Sequence, residues 1–195
     1  MKNISTIILT ALMLTACGGG PANLYLLEPA VDAQQTRTPT QAKDIGLAVV
    51  KVPGYANSKP VASREDGTRI VVHDKFQWAE DPDAAITRVL ANRMRAYTGG
   101  NVIIEPWPRG FEPDARVEFD FDKLLRDENG GAEVSGQLRV ISGDGREIIA
   151  IRSFQVLHEA GGENIEDFFK ALSLAINDIA RLATFTLQSN EAPDT

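Results

Sequence analysis

The chain holds a single cysteine, Cys17, and only two histidines, His73 and His158. One cysteine rules out an internal disulfide, a cysteine-based zinc site and, if that sulfur is otherwise committed, a thiol nucleophile. Two histidines outside any metal-ligand spacing leave little for imidazole catalysis, and both read as surface or strand-end residues. There is no Gly-x-Ser-x-Gly elbow and no phosphate-cradling Walker loop. Basic residues are in deficit, 20 against 27 acids, and they are scattered. No cationic stripe exists to neutralise phosphates, so nucleic acid is excluded as a partner. Beyond the first 16 residues no apolar run is long enough to cross a bilayer. No internal repeat is found.

The amino-terminal stretch gives the cysteine its meaning. Lys2 supplies a positive start, an apolar run follows from Ile4 to Leu14, and Leu14-Thr15-Ala16-Cys17 closes it. The charged start, short apolar middle and small residues before the cut mark a secretory signal rather than a permanent membrane helix. A branched apolar residue three positions before a cysteine, with small residues between, is a lipobox. Cleavage after residue 16 and acylation at Cys17 would leave 179 residues and move the formal charge from −7 to −8 as Lys2 is lost. Two acyl chains already give stable anchoring. Residues 17–22, with Gly18-Gly19-Gly20-Pro21, then form a flexible tether.

Residues 23–188 read as one α/β domain: a mixed, mostly antiparallel sheet of about seven strands packed with two amphipathic helices. Asn23–Glu28 is the first strand, Ala30–Asp44 a loop, and Ile45–Val52 a strand buried on both faces. Pro60–Ala62 and Thr68–Val72 make a hairpin about Asp66-Gly67. Asp81-Pro82-Asp83 opens a helix whose first acid caps its free amides, with Ile86, Val89, Leu90, Met94 and Tyr97 inward and Arg88, Arg93 and Arg95 towards solvent or the stripe's edge. Thr98-Gly99-Gly100 ends it. After a short strand, Val102–Ile104, an antiparallel meander follows. Its first strand alternates Val117, Phe119 and Phe121 with Glu118, Asp120 and Asp122; Val134 to Val140 and Ile148–Leu157 complete it. A closing helix begins after Asn164, whose side chain is placed to cap it, and the polar tail 189–195 is expected to be frayed.

No residue set announces a catalyst, a metal or a cofactor. The acids Asp120, Asp122, Asp127 and Glu128 lack the glycine spacing of a calcium loop and read as a solvated sheet face. The informative residues are aromatic. Phe76 and Trp78 stand just before the first helix, and two readings stay open: a staple pinning the helix start to the core, or a partner-contact surface. Trp107, between Pro106 and Pro108, carries the same two readings and is expected to be half exposed.

These residues, taken in order, resemble the ABC-type transport auxiliary lipoprotein family. The likeness runs through the lipobox, Tyr25-Leu26-Leu27, Val52-Pro53-Gly54-Tyr55, Trp78-Ala79-Glu80, Ala91-Asn92-Arg93, Pro106-Trp107, the meander and the last helix. The chain departs from the family pattern at Ala56-Asn57-Ser58-Lys59 and at Asp81-Pro82. The resemblance implies a non-enzymatic lipoprotein subunit of an MCE/ABC-type intermembrane lipid transport system. Its partners would be an MCE-domain protein and the permease and ATPase of that system, with a homo-oligomer open. Gly18 after the cysteine implies sorting to the periplasmic face of the outer membrane. Tyr55, Phe76, Trp78, Glu80 and Trp107 are the candidate contact or motif residues, and Cys17 the lipidated one. A lipoprotein that itself carries an apolar ligand is the alternative, and an envelope lipid hydrolase the third reading.

Overall fold

The computed structural model describes residues 21–30, 37 and 40–189. Cys17, the signal, most of the tether and residues 190–195 of the tail lie outside them. Eight strands form one mixed sheet: β1 (Asn23–Tyr25), β2 (Asp44–Leu47), β3 (Pro60–Asp66), β4 (Arg69–Trp78), β5 (Asn101–Ile104), β6 (Ala115–Arg126), β7 (Ala132–Ser142) and β8 (Ile148–His158). Helix α1 spans Pro82–Thr98 and α2 spans Ile165–Ser189.

Strand β6 is the axis. Along one edge it pairs antiparallel with β7, which pairs with β8, completing the expected meander. Its other edge is divided: Ala115–Val117 runs parallel to β2, Lys51 bridges to Asp120, and Arg126 meets Ser63 of β3. From there β3, β4 and β1 continue the sheet one way, and β5 flanks β2 the other. The long ladders are antiparallel; β1–β4, β2–β5 and β2–β6 are parallel.

Both helices lie on one face. Val117, Phe119 and Phe121 of β6 and Val134, Leu138 and Val140 of β7 are buried beneath them. The α2 stripe Phe168, Leu172, Ile176, Ile179 and Ala183 is wholly buried, as its helical period requires. A register shift between Phe121 and Lys123 leaves Asp122 unpaired in the β6–β7 ladder, so the next inward residue is Leu124. Such a bulge restores a hydrophobic face that strict alternation would have given to Lys123. The opposite face carries ion pairs: Arg139 with Glu118 at 3.1 Å, and Glu133 with both Arg64 (2.8 Å) and Lys123 (2.5 Å).

Several expectations need correction. The apolar run Ile45–Val52 is a strand only to Leu47, and Val49 is exposed rather than buried on both faces. Beyond Leu47 the chain stays beside β6 through intermittent hydrogen bonds, Ala48 N–H to Val117 O and Lys51 N–H to Phe119 O, each 3.0 Å. Strand β1 stops at Tyr25, three residues early, because β4, its partner, ends at Trp78. The hairpin strands are longer than expected, and β4 runs through Phe76 and Trp78 because β1 lies alongside them. Asp81 sits at the start of α1 but makes no side-chain cap; its carboxylate lies 3.6 Å from Lys59, and Pro82 occupies the first turn. Gly99 ends α1 as expected, at φ 71° with its N–H bonded to Arg95 O. At α2 it is the Asn164 carbonyl that receives the first amides. Arg93 does not face solvent: it is 4% exposed in the α1–α2 interface.

Candidate functional site

Each sequence-derived candidate has a definite place. Tyr55 sits in a turn closed by Ala56 N–H to Pro53 O, and its hydroxyl accepts the Leu124 N–H at 3.1 Å. It fastens the Val52–Lys59 loop over β6. Glu80 receives the Arg88 guanidinium, Nε lying 3.1 and 3.3 Å from its two oxygens, while a second Arg88 nitrogen reaches Leu27 O at 2.7 Å. That clamp ties the segment just after β1 to the first turns of α1. Trp107 is half-buried, donates Nε1–H to Ile103 O at 3.1 Å, and lies flat enough over β2 that a side chain at Gly46 would meet it at 2.6 Å. The Arg116 guanidinium stands 5.0 Å from the indole.

Trp78 is 3% exposed and packs edge-on against Phe169 of α2 at 5.0 Å. Phe76 is half-buried and meets Tyr25 edge-on at 6.2 Å. Tyr25 in turn stacks on Phe169 at 5.5 Å. The structure thus draws Phe76 and Trp78 into one aromatic cluster with Tyr25 and Phe169, and leaves Tyr55, Glu80 and Trp107 as separate fastenings.

Beside this cluster opens a cleft of about 450 Å³ between residues 25–30 and the first three turns of α2. Leu26, Phe169 and Leu174 line it, with Glu28, Glu166 and Lys170 among its polar residues. The Ser173 hydroxyl bonds Glu28 O at 2.5 Å and holds the wall in place. Sequence reading missed Leu26, Glu28, Phe169 and Leu174 as site residues. The one signal was local: Leu174 falls off the buried stripe of α2, on the side that faces out.

A smaller cavity of about 260 Å³, sharing Tyr25 and Glu166 with the cleft, contains Ser63 and His73. His73 Nε2 lies 2.9 Å from Ser63 Oγ, and the serine is 3% exposed. His158 pairs with Asp178 at 2.8 Å. Among the described residues no group of three or more His, Cys, Asp or Glu is arranged to hold a metal ion. A buried polar network joins the helices: Asn177 Oδ1 accepts from Arg93 Nε (2.7 Å) and from the Tyr97 hydroxyl (2.6 Å), and Arg181 Nε reaches the same hydroxyl at 3.0 Å.

A model of the ABC-type transport auxiliary lipoprotein component matches residues 25–182. The chain belongs to that family. The match takes in the chain from Tyr25, the last residue of β1, through α1 and the whole meander to Leu182 of α2. Among solved structures, the protein XCC0632 from Xanthomonas campestris superposes with a TM-score of 0.67 at 14% identity, covering 85% of this chain and 95% of that one. An uncharacterized protein superposes at 0.68, also with 14% identity, covering 84% and 97%. The PelC dodecamer from Paraburkholderia phytofirmans aligns at 0.47 and 14% identity, covering 78% and 93%. Comparison with curated proteins finds no match. Family membership makes this an auxiliary lipoprotein of ABC-type transport, and no helix among the described residues is long and apolar enough to cross a membrane.

Proposed function

We propose that this chain is an outer-membrane lipoprotein subunit of an MCE/ABC-type intermembrane lipid transport system. It acts at the periplasmic face as a non-enzymatic docking or structural component. The observation that carries the reading is the placement of the lipobox cysteine six residues ahead of β1, the strand at whose last residue the family match begins. A short tether holds this end of the sheet at the lipid surface and leaves the rest of the domain free to meet a periplasmic partner. The structural roles of Glu80, which holds Arg88, and of Tyr55, which holds β6, support a docking or structural component.

The test is recovery of the full-length, tagged lipoprotein from membranes in mild detergent with the transporter expressed. Co-purification of an MCE-domain protein, together with the permease or ATPase, is the expected result. Recovery of none of them counts against the docking role.

A further inference from the structure

We propose that the cleft between residues 25–30 and the first three turns of α2 binds one long acyl chain, that of a phospholipid or of a free fatty acid. The proposal rests on the membrane-anchored reading above and deepens it by naming a site and a ligand chemistry. At about 450 Å³ the cleft falls within the range of small-molecule pockets, and its lining of Leu26, Phe169 and Leu174 is that of an apolar one. Leu26 is 49% exposed and Leu174 44%, and Leu24, two residues earlier in β1, is 63% exposed. Leucines left open on two elements that face each other across a groove mark a contact surface rather than scatter.

The walls are preformed. Tyr25 is stacked on Phe169, the Ser173 hydroxyl grips the Glu28 carbonyl, and Arg88 holds the carbonyl of Leu27 between them. Ser173 is therefore already committed, and an entering peptide would desolvate amides against leucine and phenylalanine, whereas an acyl chain has no polar groups to satisfy. Charges of both signs accompany the apolar lining: the carboxylates of Glu28 and Glu166, and the Lys170 ammonium paired to Asp167 at 2.9 Å. A zwitterionic headgroup, ammonium towards the acids and phosphate towards the lysine, complements that arrangement. Position supplies the third argument. Asn23 is six residue steps from Cys17, a reach of at most about 20 Å, so the acylated residue keeps the cleft close to the bilayer.

The experiment uses the full-length protein in nanodiscs of phosphatidylethanolamine and phosphatidylglycerol doped with phosphatidylethanolamine bearing a diazirine on its acyl chain. After irradiation, label is expected on the peptides containing Leu26 and Phe169 to Leu174. The double variant Leu26→Asp with Leu174→Asp changes two exposed side chains, so its thermal melt should hold while label at these peptides falls about tenfold. A second arm offers diazirine palmitate to the same protein in amphipol. Labelling there alone upholds the acyl site and identifies free fatty acid as its source; labelling by the phospholipid alone upholds it with a diacyl lipid as source. No label in either arm, or label undiminished in the double variant, overturns the proposal. So does a benzophenone amino acid at position 174 that captures a protein in place of lipid. Flotation of native membranes carrying the same protein keeps the readings apart: protein that floats with the membranes but is unlabelled in both arms sinks the cleft alone, and protein that labels with palmitate in amphipol but does not float with the membranes sinks the anchor alone.

Discussion

Tyr25 and Phe169, 144 positions apart in sequence, stack with their ring centres 5.5 Å apart and their planes 16° from parallel. The pair couples the strand nearest the tether to the last helix. Truncating the buried Phe169 to Ala is expected to cost about 3–5 kcal/mol in urea denaturation. A Tyr25/Phe169 double-mutant cycle should return a coupling of about 0.5–1.5 kcal/mol beyond lost area. Additive effects would show that the rings are neighbours without mutual stabilisation.

Gly46 is a glycine because Trp107 covers it. Any Cβ at position 46 would lie 2.6 Å from the indole, so Gly46→Ala should destabilise by about 1–3 kcal/mol and alter the Trp107 emission. Adding Trp107→Ala should recover part of that loss. A double variant no more stable than the sum of the two changes would refute the close approach as the cause.

Asn177 is the shared acceptor of Arg93 and Tyr97 inside the helix interface. Asn177→Leu removes that acceptor from two buried donors and should cost about 1–3 kcal/mol, measured as a drop in the denaturation midpoint. A variant as stable as the parent would mean that the network serves some end other than stability.

Glu133 titrates below its ordinary value of 4.5. Burial acts to raise it, but the hydrogen bonds and charges of Lys123 and Arg64 together outweigh burial. Arg64 is correspondingly raised, first by its hydrogen bond to Glu133. A carboxylate with a depressed folded-state pKa adds stability above its unfolded pKa and loses it as pH falls through the folded one. Stability should therefore decline as acid is added below about pH 4.5. Glu133→Gln should flatten that decline, as read from urea midpoints at successive pH values; an unchanged slope would place the acid sensitivity elsewhere.

Cys17→Ala should leave the circular dichroism spectrum and melting temperature of the domain unchanged while removing the protein from the membrane fraction. A variant that still sediments with membranes would have another segment holding it there.

Much of the architecture could be read before folding. The stripe from Ile165 to Ala183, the alternation around Phe119 and the lipobox before Cys17 are local patterns, each set by a period or spacing within a few turns of chain. The errors have a common origin. The run after Ile45 is apolar whether or not it pairs, and only the divided edge of β6 decides that pairing ends at Leu47. Arg93 carries the composition of a surface residue, and only the arrival of Asn177 from the other helix buries it.

What sequence alone determined is whatever depends on neighbours in the chain: two amphipathic helices, a three-strand meander and a cysteine in position for acylation. Tertiary structure alone decided that Trp78 is buried, that Tyr25 meets Phe169, and that Leu26 and Leu174 line one open cleft. The physical reason is distance along the chain. The Ser173–Glu28 hydrogen bond closes a separation of 145 residues, and no local period encodes which two surfaces such a closure brings together.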